Sequence, residues 1–255
     1  MAVLSIDYRL APEHPYPAGL DDSDAALRFL AKNGPDGPDD ATAPPPLFVA
    51  GDSAGGGLGA ALALRPGVPA ISGLVLFSAW LDLTASGESH ESAAFDPATR
   101  AGDPVFTYPA AATRDKVRGW GLDYLGASGL SEPERAEIAR TLARTTGASP
   151  LFAPSELLAR LPPTLVQVGE AEILRSDSVE FVARAREAGA ACELEVWPRM
   201  WHCFHQFSEG CAAGDTSGRD KPLEEALVAT ERAARFMRAH LARAAAAGHG
   251  GAAAL

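Results

Sequence analysis

Ser53 lies in Gly51-Asp52-Ser53-Ala54-Gly55, after the apolar run Leu47 to Ala50 and before an Ala/Leu-rich run that reaches Leu64. An uninterrupted apolar run closed by glycine reads as a short buried strand, and Ala and Leu are strong helix formers. The serine is therefore expected on a sharp strand-to-helix turn. There the missing side chains of Gly51 and Gly55 let the two elements approach and push the hydroxyl out above a sheet. The amide of Ala54, at the helix N-terminus, then faces any negative charge that develops beside the hydroxyl. Such a hydroxyl becomes a useful nucleophile only beside a base, usually histidine, that is itself held by a carboxylate.

Six histidines are available. His14 lies in a proline loop, His90 in an irregular stretch, and His240 and His249 near the C-terminal end. Only His202 and His205 directly follow a late strand, in Met200-Trp201-His202-Cys203-Phe204-His205. The carboxylates closing the strand before that are Glu170 and Glu172, in Val168-Gly169-Glu170-Ala171-Glu172-Ile173-Leu174. In an open parallel sheet, function gathers at the carboxyl ends of the strands, so serine, acid and histidine occur in that chain order. Two other chemistries compete for these residues. Gly55-Gly56-Gly57-Leu58-Gly59-Ala60 fits a dinucleotide-binding pattern, but Gly51 to Ala54 intervene between strand and first glycine, where that pattern allows no such insertion. His202, Cys203, His205 and Cys211 suggest metal ligands, yet their spacing matches no standard zinc pattern.

The elements needed to position these groups follow from patterning. Ala2 to Ile6 reads as a strand buried on both faces. Leu20 to Leu30 reads as a helix with Asp21, Asp22 and Asp24 in its first turn and an Asp24–Arg28 pair. Asn33 to Pro46 reads as a proline-rich loop. The strand before Ser53 and its helix come next, then a buried strand from Leu74 to Ser78. From about 80 to 163 the pattern is irregular, with helices expected over Ala110–Leu125 and Glu132–Arg144. A long excursion of this kind often supplies a lid. Regular alternation resumes with strand Thr164–Val168, helix Asp177–Ala188, strand Cys192–Trp197 and a closing helix Leu223–Leu241. Asp177 and Glu180 are placed as a capping pair. The sum is an α/β fold with a mainly parallel sheet flanked by helices, one domain over residues 1–243, and a disordered Ala/Gly tail over 244–255.

Composition narrows the partners. The 255 residues carry 22 basic and 33 acidic side chains, a net charge of −11, which argues against nucleic acid and anionic membranes. Three cysteines, Cys192, Cys203 and Cys211, are too few for a disulfide framework. The longest apolar stretch, around Leu74 to Leu81, is too short to span a bilayer. Asp7 follows the first apolar residues at once, and no basic leader precedes them, so a cytoplasmic protein without a signal peptide is expected.

Several segments recur together in one known family: Asp7-Tyr8-Arg9-Leu10-Ala11-Pro12-Glu13, Gly51-Asp52-Ser53-Ala54-Gly55-Gly56, Ser149-Pro150-Leu151, Leu161-Pro162-Pro163, Gly169 to Leu174, and Trp197-Pro198-Arg199-Met200-Trp201-His202. With them the chain resembles the hormone-sensitive-lipase-like carboxylesterases of the α/β-hydrolase fold over nearly all of residues 2–210. The resemblance implies hydrolysis of small or medium apolar esters through an acyl-enzyme, without a cofactor. It assigns Ser53 as nucleophile, His202 as general base, and Glu172 as the acid, at a position where many members have Asp. Asp177, five residues on, matches a position read as structural. Asp52, Trp80, Phe106 and Trp201 are expected at the substrate pocket, with Tyr108 and Trp120 as further aromatic lining from the excursion.

One family feature has no counterpart. The family carries a His-Gly-Gly-Gly loop upstream of the Asp-Tyr-Arg-Leu-Ala-Pro segment, and its amides supply most of the oxyanion hole. This sequence opens after that loop. The resemblance then implies a sheet lacking the N-terminal strands and the oxyanion-loop strand, leaving a gap between Ala2–Ile6 and the strand before Ser53. Only the Ala54 amide would serve the oxyanion, and losing one such donor costs about 10²–10³ in rate. The alternative is a catalytically inactive remnant or binding module of the same fold.

Overall fold

A computed structural model describes residues 2–34, 37, 46–209 and 221–250, with side chains of the last helix described to residue 243. The centre is a four-stranded, all-parallel sheet in the order β1-β2-β3-β4. Its strands are β1 (Phe48–Asp52), β2 (Gly73–Phe77), β3 (Thr164–Gly169) and β4 (Cys192–Trp197). The helices are α1 (Ala18–Asn33), α2 (Ser53–Leu64), α3 (Ser89–Ser92), α4 (Ala110–Tyr124), α5 (Glu132–Thr141), α6 (Ser155–Leu158), α7 (Arg175–Glu187) and α8 (Glu224–Gly250).

Side chains alternate between the faces of a strand, and β2 divides its apolar residues accordingly. Leu74 and Leu76 join Ala60 and Leu64 of α2 and Phe181, Val182 and Ala185 of α7 in the main core. Val75 points the other way, onto Leu165 and the α8 residues Ala233 and Phe236. Covered on both faces, β2 and β3 are almost wholly buried, as a parallel sheet requires. Outside α2, Leu20 and Leu27 of α1 pack on Leu58, Ala61 and Leu62. The expected Asp24–Arg28 ion pair forms at 2.8 Å. The excursion folds over one end of the sheet, with Leu83, Leu125, Ala143 and Ala148 packed together against Trp80 and Tyr124. The N-terminus of α5 is closed by a Ser131–Glu134 capping box. Among the described residues, no helix is long and apolar enough to cross a membrane.

Three expectations need correction. Residues 2–6 form no strand, and Val3, Leu4 and Ile6 are exposed at 84%, 51% and 38%. Their apolar pattern suits a strand, but a ladder needs a neighbour within about 4.8 Å. Here a cleft of about 570 Å³ separates Val3–Ile6 from β1. Asp177 and Glu180 do not cap α7, because Leu174 occupies the N-cap. Buried Asp177 instead accepts the Leu81 and Asp82 amides at 3.1 and 3.0 Å and pairs with His90 at 3.1 Å. The closing helix also runs beyond Leu241 to Gly250, into the expected disordered tail, because alanine favours helix whatever its sequence complexity. The rest of that tail, 251–255, and most of the proline-rich loop over 33–46 lie outside the described residues.

Candidate active site

Among the described residues outside α2, the two that hydrogen-bond Ser53, Trp80 and His202, follow the carboxyl ends of β2 and β4. Ser53 opens α2 directly after β1, with φ at +52°. A non-glycine residue held in this left-handed region costs about 1–3 kcal/mol and persists only where its surroundings over-determine it. Those surroundings are identifiable: the Ser53 carbonyl accepts the Trp80 amide at 2.9 Å, and β1 is held in register by β2. The two glycines of the motif contribute unequally. A Cβ on Gly51 would stand 2.3 Å from the Gly55 carbonyl oxygen, whereas a Cβ on Gly55 meets nothing within 4 Å. The close approach therefore depends on Gly51, not on both glycines. Ala54 is the second residue of α2, so its N–H is one of the helix's unpaired donors.

The turns after β3 and β4 complete the arrangement. The His202 Nε2 atom lies 3.0 Å from Ser53 Oγ, and Nδ1 lies 3.4 Å from Glu172 Oε1. Glu172 is fully buried and His202 is 5% exposed. The other carboxylate oxygen, Oε2, accepts the Ser78 hydroxyl and the Gly169 amide, both at 2.8 Å. With Glu172 an acceptor throughout, the imidazole carries its proton on Nδ1 and leaves Nε2 free to accept from Ser53. A serine hydroxyl, an accepting imidazole nitrogen and a buried carboxylate thus form one continuous relay.

His205, the other histidine that follows β4, makes no hydrogen bond to Ser53. Its ring stacks 3.8 Å from Phe204 and 4.7 Å from Phe77, and burial pushes its pKa down to about 3. It is a partly buried, neutral side chain packed between aromatic rings. Glu170 lies at the surface, where it accepts the Arg199 amide at 2.9 Å. Cys203, with Sγ 3.3 Å from His202 Nε2, is pushed up by burial and by the charges of Asp52 and Glu172. It remains a thiol and does not compete with Ser53 as a nucleophile. Cys211 lies outside the described residues.

The predicted pocket residues separate. Trp80 and Trp120, with Leu58, Leu83 and Tyr124, wall a cavity of about 440 Å³ that reaches Ala54. Phe106 stands against the His202 ring at 5.0 Å and Trp120 at 6.0 Å but lines neither this cavity nor the cleft beside β1. Tyr108 packs on Trp120. Trp201 packs on Phe207 and lines neither space. Asp52 faces the β1 cleft and accepts the Gln206 side-chain amide at 2.9 Å.

Sequence reasoning missed two buried polar residues. Ser78 donates to Glu172 and accepts the Cys203 amide at 3.0 Å, so one hydroxyl joins the acid to the residue after the base. Its only sequence signal is a polar residue closing an otherwise apolar strand. Ser78→Ala should leave the Cys203 amide unpaired at a cost of about 1–3 kcal/mol. A melting temperature unchanged from wild type would show that this bridge contributes nothing. The second missed residue, Asp103, stands in the loop-rich part of the excursion, where no pattern marks it.

Comparison with known proteins bears on the fold and the family. A family model described as alpha/beta hydrolase fold matches residues 1–206. An acetyl-hydrolase of Streptomyces hygroscopicus is 34% identical over 210 residues, covering 81% of this chain and 58% of that protein. The carboxylesterase NlhH of Mycobacterium tuberculosis is 33% identical over 222 residues, covering 85% and 61%. The chain thus spans about three-fifths of the length of these curated relatives. The esterase EstE5, soaked with p-nitrophenyl butyrate, is 32% identical with a TM-score of 0.68, covering 92% of this chain and 65% of that one. A hormone-sensitive lipase from a metagenome library has a TM-score of 0.61 at 33% identity, covering 90% and 64%. With a family model matching residues 1–206 and a parallel sheet flanked by helices, the chain belongs to the α/β-hydrolase family, and it is similar to a solved hormone-sensitive lipase within that fold.

Proposed function

We propose that this chain hydrolyses carboxylic esters through an acyl-enzyme on Ser53. The observation that carries the reading is the relay Ser53 Oγ–His202 Nε2 at 3.0 Å and His202 Nδ1–Glu172 Oε1 at 3.4 Å. His202 takes the hydroxyl proton as Ser53 Oγ attacks the ester carbonyl, and buried Glu172 stabilises the imidazolium without itself accepting the proton. The Ala54 amide donates to the tetrahedral oxyanion. Collapse expels the alcohol, which leaves with the proton held by His202. Water, deprotonated by the same nitrogen, then attacks the acyl carbonyl; collapse breaks the bond to Ser53 Oγ, which takes the proton back from His202 as the carboxylic acid leaves.

The cavity beside Ala54 supports a small or medium apolar ester as substrate. Its walls are largely aromatic and aliphatic, and about 440 Å³ falls within the usual range for small-molecule sites. The net charge of −11 disfavours anionic substrates by repulsion.

A fluorophosphonate probe tests the reading, because it captures only an activated serine. Peptide mapping should find the label on Ser53, together with turnover of p-nitrophenyl butyrate. A folded chain that leaves Ser53 unlabelled and the ester intact would be an inactive binding module of the same fold.

A further inference from the structure

We propose that Asp103 is a positioning residue by which the excursion holds the acid turn and the histidine turn at their working separation. Its carboxylate is fully buried and accepts from three elements. Oδ2 accepts the amide of Ile173, the residue directly after Glu172, at 3.2 Å. Oδ1 accepts the amide of His202 at 3.4 Å and that of Val105, in its own loop, at 3.1 Å. One side chain thus bonds the backbone of both turns whose side chains must meet.

The segment around Asp103 is itself anchored. Its amide donates to the Ala93 carbonyl at 2.9 Å, and its carbonyl accepts the Phe106 amide at 3.3 Å. Phe106 in turn lies 5.0 Å from the His202 ring and 6.0 Å from Trp120, a wall of the apolar cavity. The excursion that shapes the cavity is therefore bonded, through one carboxylate, to the backbone that aims the base.

Acceptance from several amides at once requires the ionised carboxylate. When protonated, one oxygen becomes a donor facing an amide N–H, and a strut is lost. Burial pushes this carboxyl up to about 6, against the amide hydrogen bonds from Ile173 and Val105 and the attraction of His202 that hold it down. The titratable groups that face it are His202, Glu172 and the Cys203 thiol. As pH falls through about 6, Asp103 takes up a proton and the turns loosen, while the base must independently stay neutral. The acid limb of the reaction is then expected to involve two protons.

Asp103→Asn, made in the full chain, tests the assignment. The amide offers only one accepting oxygen, so its NH₂ must oppose either the Ile173 amide or the pair from Val105 and His202. Misplacement of this kind should lower kcat for p-nitrophenyl butyrate about 10–100-fold, with KM within about twofold. The acid limb of kcat/KM should also fall from two protons to one, which loss of stability alone would not produce. A folded variant with wild-type kcat and an unchanged acid limb would overturn the proposal, as would a change confined to KM.

Should the variant not fold, the pH dependence of Ser53 labelling by fluorophosphonate in the unmodified chain decides. A two-proton acid limb supports the strut, and a one-proton limb overturns it. The kinetic arm rests on the ester-hydrolase reading, but the labelling arm does not require turnover. Labelling with a two-proton limb and no ester hydrolysis would sink that reading alone. Hydrolysis with a one-proton limb would sink the strut alone.

Discussion

Glu172→Gln should give a folded protein whose kcat for ester hydrolysis is lower by about 10⁴-fold, the scale seen when a triad histidine is held in the wrong tautomer. The argument depends on where an amide can place its two ends. The position of Oε2 receives the Gly169 N–H at 2.8 Å, a fixed backbone donor that an NH₂ group cannot meet. The glutamine oxygen must therefore take that position, where it still accepts from Ser78. Its NH₂ then occupies the position of Oε1, directed at His202 Nδ1. Facing a donor, Nδ1 gives up its proton to become an acceptor, and the proton moves to Nε2. That nitrogen now donates to Ser53 Oγ instead of accepting from it, and the hydroxyl has no base. Size and shape are conserved, so melting temperature should change little while turnover collapses. A folded variant within tenfold of wild-type kcat would remove Glu172 from the relay.

The difference between local and long-range requirements explains how much of the site was legible in the sequence. Ser53 could be read because its requirements are local: an apolar strand, a glycine and a helix within about fifteen residues. His202 and Glu172 could be narrowed to a few positions because parallel sheets collect function at strand ends. The final choice between His202 and His205 needed either the family resemblance or the structure, since two histidines three positions apart at one turn share every composition signal. What distinguishes them is orientation: one ring reaches Ser53 and the other stacks on Phe204.

The residues that escaped notice act across large separations. Ser78 bonds Glu172 at 94 residues' distance and Cys203 at 125. Asp103 bonds Ile173 at 70 and His202 at 99. Neither carries a local pattern, because a buried acceptor is specified by the donors around it and not by its neighbours in sequence. The opposite error arose where local pattern was present but its tertiary partner was not. Residues 2–6 have strand composition and no ladder. Asp177 lies in the first turn of α7, three residues beyond the N-cap at Leu174, and its carboxylate turns inward to the Leu81 and Asp82 amides. In both cases local propensity was a weak guide, and long-range hydrogen bonding decided the outcome.

The largest stability effect is expected at Gly51. In Gly51→Ala the added Cβ would stand 2.3 Å from the Gly55 carbonyl oxygen, 2.5 Å from its carbon and 2.9 Å from the Gly56 nitrogen. All three are backbone atoms in the first turn of α2, so no rotamer change relieves the contact. The strand cannot retreat either, because Gly51 is paired with Leu76 in the ladder to β2. The face of α2 that meets the sheet has no spare room, since a Cβ on Gly56 would stand 2.6 Å from the Ala79 side chain and 3.1 Å from the Gly51 carbonyl oxygen. Relief must therefore come from separating β1 from α2, at the point where Ser53 is held at φ +52°. A loss of about 3–5 kcal/mol is expected, at the upper end for single substitutions. For a chain of this size that corresponds to a melting temperature lower by roughly 6–20 °C. The folded fraction should also fail to label with fluorophosphonate, because Ser53 moves with the turn. Gly55→Ala is the internal control: its Cβ meets nothing within 4 Å, and alanine is about 1 kcal/mol better than glycine in a helix. Its melting temperature should equal or exceed wild type. If both variants melted alike, close backbone approach would not be the reason for glycine in this turn, and the different demands on Gly51 and Gly55 would have to be abandoned.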